Sequence, residues 1–334
     1  MASADSLFCS LATPHKAGEL LIRPSHRPGD FDSHGADCPF VFSLDGRVGM
    51  TYVGWDGRGY QTALTWREDD GTWTEPEVVF ARSARSRHRR HNAALTSIIR
   101  DNALYGRGAL RRFDGWYYGT YHAYPGAGFE TGPGVIGIVR SRDLHHWEEH
   151  GELLTPSTGA AWEQGGLYKS WLLELDGTFW LFYNAKNHTE APWVEQTGAA
   201  VSTDLQHWER VQDTPVLPHG ERGAADEVFA SDPCVLHTGS EWVMFYFGLA
   251  ADHRARDLVA TSDDLLHWRK FATPLLDVGE PGSVDDKYAH KPAILYRDGV
   301  LEHYYCAVRT LADPVLIGDF VQDEMRGISV ARSA

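Results

Sequence analysis

Asp143-Leu144-His145-His146-Trp147, Asp204-Leu205-Gln206-His207-Trp208 and Asp264-Leu265-Leu266-His267-Trp268 are three copies of one phrase, with tryptophans 61 and then 60 residues apart. So regular a spacing marks a repeated supersecondary unit. A short apolar run precedes each phrase (135–139, 199–201, 258–260) and another follows it (Leu153-Leu154, Val216-Leu217, Leu275-Leu276), so each phrase reads as a turn between two strands. Further upstream in each unit a turn leads into an aromatic strand: Asp114-Gly115 before Trp116-Tyr117-Tyr118, Asp176-Gly177 before Phe179, and Gly239-Ser240 before Trp242. Asp45-Gly46 and Asp298-Gly299 add two more such hairpins and bring the count to five.

Five units of four short strands, without long helical periodicity, predict an all-β fold: a five-bladed β-propeller in which residues 1–334 form a single domain. Unit five ends at 326–331, one strand short, while Gly18-Glu19-Leu20-Leu21 resembles the fourth-strand segment Gly151-Glu152-Leu153-Leu154. Residues near 18–25 are therefore expected to pair beside 326–332, so that the N-terminal strand completes the last blade and closes the ring. Closure removes exposed sheet edges. The basic stretch Arg85-Ser86-Arg87-His88-Arg89-Arg90-His91, between units one and two, reads as a solvated or oligomer-contact loop.

A net charge of -15 disfavours a nucleic-acid partner, because such binding neutralises phosphates with Lys and Arg. The 12 Trp, 14 Tyr and 14 Phe suit both strands and carbohydrate-binding surfaces. The N-terminus lacks a basic region followed by an apolar run, and no stretch approaches the ~20 apolar residues of a membrane span. A cytoplasmic protein without a membrane partner is expected, with homo-oligomerisation left open. Cys9, Cys38, Cys234 and Cys306 form no CxxC pair and read as small apolar residues. With no dinucleotide loop, HExxH or EF-hand motif, neither a cofactor nor a metal site is expected, although the axis leaves room for a structural cation.

In a propeller, the lead-in to each first strand and the loop between strands two and three share a face. The lead-ins here are 32–39, 105–108, 162–169, 226–233 and 285–291, and every one carries ionisable groups. The loops are polar and aromatic: Trp55-Asp56, Tyr121 to Glu130, and Asn184 to Gln196. Cleaving a glycosidic bond needs one acid to protonate the leaving oxygen and one carboxylate as base or nucleophile. A single loop Asp is usually a turn or cap residue. Convergence of many carboxylates on one face is what favours a site.

Over residues 18–331 the chain resembles the five-bladed propeller glycoside hydrolases, the superfamily of families 43, 32, 62, 117 and 130. The resemblance implies a base or nucleophile at Asp37, in Asp37-Cys38-Pro39, and a general acid at Glu163, in Glu163-Gln164-Gly165-Gly166. Arg107 stands where family 43 has its second-blade Asp, and Asp232, in Asp232-Pro233-Cys234, offers a catalytic or pKa-setting carboxylate. Glu195, Glu130 and Asp226 are reserve acids and substrate contacts, together with Trp55, Arg107, His122, Tyr124, Lys169 and His290. His290 is similar to the histidine those families place near a central ion or the leaving group. The implied activity is exo-acting hydrolysis of a small oligosaccharide or glycoside, a furanoside included, with inversion favoured. Two alternatives are a family-130-like phosphorylase binding phosphate through Arg107 and Lys169, and a propeller that binds sugar without catalysis.

Overall fold

The computed structural model describes residues 4–318 and 320–334. After a short helix, α1 (Ala4–Leu11), and a short strand, β1 (His15–Lys16), the chain builds antiparallel units of consecutive strands. Unit one is β2 (Gly35–Leu44), β3 (Arg47–Trp55), β4 (Tyr60–Trp66) and β5 (Glu77–Phe80). Unit two is β6 (Ala94–Ile98), β7 (Tyr117–Ala123), β8 (Val135–Ser141) and β9 (Glu148–Leu154). In unit three, β10 (Gly166–Leu175), β11 (Thr178–Lys186), β12 (Glu195–Ser202) and β13 (Glu209–Arg210) repeat the pattern. Unit four is β14 (Phe229–His237), β15 (Trp242–Leu249), β16 (Ala255–Ser262) and β17 (Arg269–Lys270). The last unit, β18 (Tyr288–Arg297), β19 (Val300–Ile317) and β20 (Phe320–Arg332), takes β1 as its fourth strand, with His15 opposite Arg332 and Lys16 opposite Ala331. Pairing continues to Ile22, opposite Ile328, so the fourth strand lies slightly earlier in sequence than residues 18–25. First strands touch in the order β2, β6, β10, β14, β18, and β18 touches β2 again.

The repeated phrase is the turn between third and fourth strands. Ser141 Oγ accepts from the Asp143 and Leu144 amides (3.2 and 2.9 Å), and Asp143 Oδ1 accepts from those of His145 and His146 (2.9 and 2.8 Å). Ser202 with Asp204 and Ser262 with Asp264 repeat these bonds. They hold Leu144, Leu205 and Leu265 at φ of 68°, 61° and 68° and drive those side chains into the core. Such a φ is costly for a non-glycine residue, so the bonds and the burial must offset it.

A second repeat locks the lead-in of each unit but the second. Tyr52, Tyr246 and Tyr305 donate their hydroxyls to Asp32, Asp226 and Asp285, each 20 residues earlier, at 2.9, 3.0 and 2.9 Å. Tyr183 does the same to Glu163. A cation from the fourth strand joins three of these pairs: Arg210 on Glu163 (2.7 Å), Lys270 on Asp226 (2.5 Å) and Lys16 on Asp285 (2.6 Å). Lys16 thus does from β1 what Arg210 and Lys270 do from β13 and β17.

Candidate active site

One position in each first strand decides what faces the pocket. The register of β2, β6, β10, β14 and β18 shifts between Asp37 and Phe40, Leu95 and Ser97, Tyr168 and Ser170, Ser231 and Cys234, and His290 and Ala293. These are β-bulges, which bend a strand and re-aim its side chains. Cys38, Lys169, Asp232 and Lys291 sit at the shifts with φ of 48°, 25°, 56° and 65°, and all four line a single cavity. Pro39, Pro233 and Pro292 follow three of them, at sites where a strand tolerates a missing N–H donor. Asp37 and His290, one residue earlier, also face the cavity. Asp232 therefore matches Cys38 and Lys291 rather than Asp37, a one-residue difference that the similar Asp-Cys-Pro and Asp-Pro-Cys spellings conceal.

Asp37 is buried and saturated. Its Oδ2 accepts from Lys291 Nζ (2.8 Å) and Arg326 Nη1 (3.1 Å), and its Oδ1 accepts from the Cys38 amide (2.7 Å). Burial alone would raise its pKa, but Lys291, Arg326 and His290 outweigh burial and hold it well below the usual carboxylate range. Asp232 accepts at Oδ1 from Asn184 Nδ2, while Asn184 Oδ1 accepts from the Asp232 amide (2.6 Å). Its buried Oδ2 has no hydrogen-bond partner among the described residues, and burial raises its pKa against the pull of Lys291 and Lys169.

Glu195 begins β12, where Trp193 Nε1 donates to its Oε1 (2.8 Å) and Ser231 Oγ to its Oε2 (2.7 Å). Burial, then the charge of Glu130, pushes its carboxyl up to about 7. Glu130 stands at φ 51° in the loop between β7 and β8 and pairs with Lys186 Nζ at 3.4 Å. Strain of that kind concentrates at functional sites. Burial, with Lys291 and Lys169, lowers His122 to about 3, and burial with Lys291 lowers His290 likewise to about 3. His122 Nδ1 accepts from the Lys169 amide (3.1 Å), so the neutral ring carries its proton on Nε2; His290 Nδ1 donates to the Cys306 carbonyl (3.0 Å), leaving Nε2 an acceptor. Tyr60, Tyr124, Phe129, Trp193 and Phe229 supply apolar wall.

Of the residues expected at the site, Asp37, His122, Tyr124, Glu130, Lys169, Glu195, Asp232 and His290 line this cavity. Four do not. Glu163 is fully buried in its lock with Tyr183 and Arg210, and Asp226 in its lock with Tyr246 and Lys270. Trp55 stands behind the wall, its ring 5.3 Å from that of Tyr60 and 5.7 Å from that of Phe129. Arg107 is exposed and lines a different groove, with Ser43, Gly46 and Tyr296. Its segment is no lead-in: it belongs to the long β6–β7 connection, at the end where the other units turn tightly through Asp45-Gly46 and Asp298-Gly299. There Arg100 donates to the carbonyls of Val41 and Ile294 (both 2.6 Å), and Ala109 bridges Ser43. The true lead-in to β6 is the segment after the basic stretch 85–91.

Lys291, Arg326, Lys186, Trp193 and Asn184 went unrecognised as site residues. The position just before Pro39, Pro233 and Pro292 would have flagged Lys291. Among the described residues no group of three or more His, Cys, Asp or Glu could hold a metal ion, and no helix is long and apolar enough to cross a membrane.

Comparison with known proteins places this geometry in context. The model of the glycosyl hydrolases family 32 N-terminal domain matches residues 108–282, more than half of the chain. A probable sucrose-6-phosphate hydrolase of Vibrio cholerae serotype O1 is 28% identical over 130 residues, covering 39% of this chain and 23% of the relative. The match thus spans about a quarter of the curated relatives' length. A solved structure named "Glycoside hydrolase" superposes with a TM-score of 0.82 at 27% identity, over 99% of this chain and 94% of the other. Another, a complex of BT0996, gives 0.81 at 26% identity, with 99% and 94% covered. A structure from the GH130 family of mannoside phosphorylases shares the fold, with a TM-score of 0.66 at 14% identity over 96% of this chain and 94% of that one.

Proposed function

The chain belongs to the family of the glycosyl hydrolases family 32 N-terminal domain, and from that premise we propose that it is an exo-acting glycoside hydrolase. The observation that carries the reading is the pair Glu195 and Glu130 in an aromatic-walled cavity, one carboxyl holding its proton to about 7 and the other ion-paired. A buried acid that keeps its proton near neutrality can protonate a leaving oxygen, and a second carboxylate can activate water or attack the anomeric carbon. We assign Glu195 as the acid and Glu130 as its partner. Asp37, with both oxygens engaged, is the anchor that presents Lys291 and Arg326 to sugar hydroxyls. Asp232 and His122 are further hydroxyl contacts. The contact of β18 with β2, and the use of Lys16 as a fourth-strand cation, support a five-bladed propeller closed by the N-terminal strand, with its cavity at one end of the axis. A single cavity lined by residues of all five units, rather than an open groove, favours a terminal sugar. The sucrose phosphate in the curated relatives' names contains a furanose, which makes furanosides the first substrates to try.

Phosphorolysis is a second reading, favoured by one observation: the Lys169 ammonium lines the cavity and makes no ion pair within 4 Å among the described residues. Arg107 lies outside that cavity and takes no part in it.

The test is a screen of aryl and alkyl glycosides and oligosaccharides, with and without phosphate, on the parent protein, Glu195→Gln and Glu130→Gln. Turnover by the parent is expected without phosphate. Glu195→Gln should lose on the order of 10² to 10⁴ with alkyl leaving groups and much less with activated aryl ones, which need no proton. Glu130→Gln should lose activity on both. No turnover of any glycoside, or a Glu195→Gln variant indifferent to the leaving group, would overturn the reading.

A further inference from the structure

Lys186 is the last residue of β11 and stands directly opposite Glu195 in the ladder with β12. Its side chain is only 1% exposed, yet its ammonium turns to Glu130, a residue of unit two, at 3.4 Å. Three rings surround it: Trp193 at 4.5 Å, Tyr124 at 5.7 Å and Tyr168 at 5.7 Å from Nζ to centroid. A buried ammonium is costly unless paired, and aromatic faces offset part of that cost. Trp193 serves both neighbours, carrying Lys186 on its face and donating its N–H to Glu195. Glu130, which lines the cavity, is thus held by a cation that is not itself part of the lining.

We propose that Lys186 is the positioning residue of the carboxyl pair: from its aromatic cage, directly opposite Glu195 in the ladder, its ammonium holds the Glu130 side chain and supplies the pair's counter-charge. This inference depends on the pair being the reactive centre only for its kinetic consequence; the proton distribution itself can be read without a substrate. The groups facing the pair are Lys186 from β11, Trp193 and Ser231 as donors to Glu195, and the Tyr60, Tyr124 and Tyr168 phenols. Lys169 and Lys291 stand elsewhere on the cavity wall, and among the described residues Lys186 alone makes an ion pair with either carboxyl, so its removal leaves the pair without a contacting counter-charge. Such a pair holds its last proton to higher pH, and the titration belongs to the pair rather than to either residue.

The experiment is a pH titration of ¹³C-labelled glutamate carboxyls by NMR, on the full chain, in the parent, Glu195→Gln, Glu130→Gln, Lys186→Met and Lys186→Arg. In the parent, one carboxyl should titrate near 7, and that titration should be absent from Glu195→Gln. Lys186→Met should move the pair's last titration upward by about one to two pH units, the scale of one charge lost at short range in a partly screened site. Lys186→Arg should restore most of that shift. Glu130→Gln should move the Glu195 titration downward, since the charge of Glu130 helps to raise it. A purely structural lysine would lower stability and leave the titration in place. A Lys186→Met titration superposable on the parent's overturns the proposal; should that variant not fold, Lys186→Gln, with its polar tip, answers the same question. If the shift appears but no glycoside is turned over, the electrostatic inference stands and the functional reading falls. Given turnover, both limbs of the kcat/KM profile of Lys186→Met should move to higher pH, with KM changed less than kcat.

Discussion

Two corners of one cavity treat their carboxylates in opposite ways. At the Asp37 corner one carboxylate meets two cations, Lys291 and an Arg326 that also pairs with Glu324, and stays ionised. At the Glu195 corner Lys186 pairs with Glu130, while Glu195 meets only neutral donors and keeps its proton to about 7. The contrast teaches that burial alone assigns no role, since both carboxylates are buried. What differs is whether a cation contacts the carboxylate, and on that difference the proposed roles of anchor and acid rest.

Neutralising each corner should therefore change stability in opposite directions. Asp37→Asn leaves Lys291 buried beside a neutral amide while Arg326 keeps Glu324, so the cost falls at the lower end of the about 3–5 kcal/mol that breaking a buried pair carries. Urea unfolding at pH 7 measures it; a variant as stable as the parent would remove the anchor from the account. Glu195→Gln should do the reverse above pH 7. Because the folded pKa of Glu195 is raised from 4.5 to about 7, the folded state binds more protons than the unfolded state between those values. Stability is thus full below about 4.5 and declines as pH rises to about 7, by up to about 3 kcal/mol. Comparing parent and Glu195→Gln across that window isolates the contribution, and parallel curves would refute it.

A third substitution leaves the cavity. Glu163 lies in a lock, not in the site, so Glu163→Gln should cost about 1–3 kcal/mol through weakened bonds to Arg210 and Tyr183. Turnover by the folded fraction should be unchanged. A loss of kcat without a loss of stability would return Glu163 to the chemistry.

Much of this arrangement could be read from the sequence, for identifiable reasons. Turn chemistry is local, so the Asp-Gly hairpins and the Asp-Leu-x-His-Trp phrase announce the repeat directly. The pocket lining was also largely legible, because Asp37, Lys169, Asp232 and His290 lie near one bulge that recurs in every first strand. Roles were not legible, since they depend on partners distant in sequence: Asp37 meets Lys291 254 residues later and Arg326 289 residues later. Glu163 and Asp226 misled because a carboxylate 20 residues before a strand tyrosine looks like any other loop acid until the phenol is seen on it. Lys186 ends β11 within a polar stretch, 184–188, and no local signal in the sequence singles it out.

The smallest expected effect belongs to Arg107, whose misplacement had a single cause. Asp114-Gly115 is a true hairpin, with Phe113 bridged to Trp116, so the residues before it looked like the lead-in to a first strand. In unit two, however, the chain leaves β6 at Ile98 and runs through Arg100, Leu104 and Leu110 before reaching that hairpin. Arg100 pins this excursion to β2 and β18, and the Leu104 amide donates to the His237 carbonyl (2.8 Å). Arg107 rides on the excursion, exposed, beside Tyr105 and Asp298 and on none of the residues that line the candidate site. Exposed substitutions away from caps, cores and networks stay within about 0.5 kcal/mol. Arg107→Ala should therefore leave stability, kcat and KM at parental values, and leave any response to phosphate unchanged as well. Lys169→Ala, by contrast, should abolish a phosphate response if the parent shows one. A raised KM for phosphate in Arg107→Ala would mean that this groove, and not the cavity around Glu195, is where the anion enters.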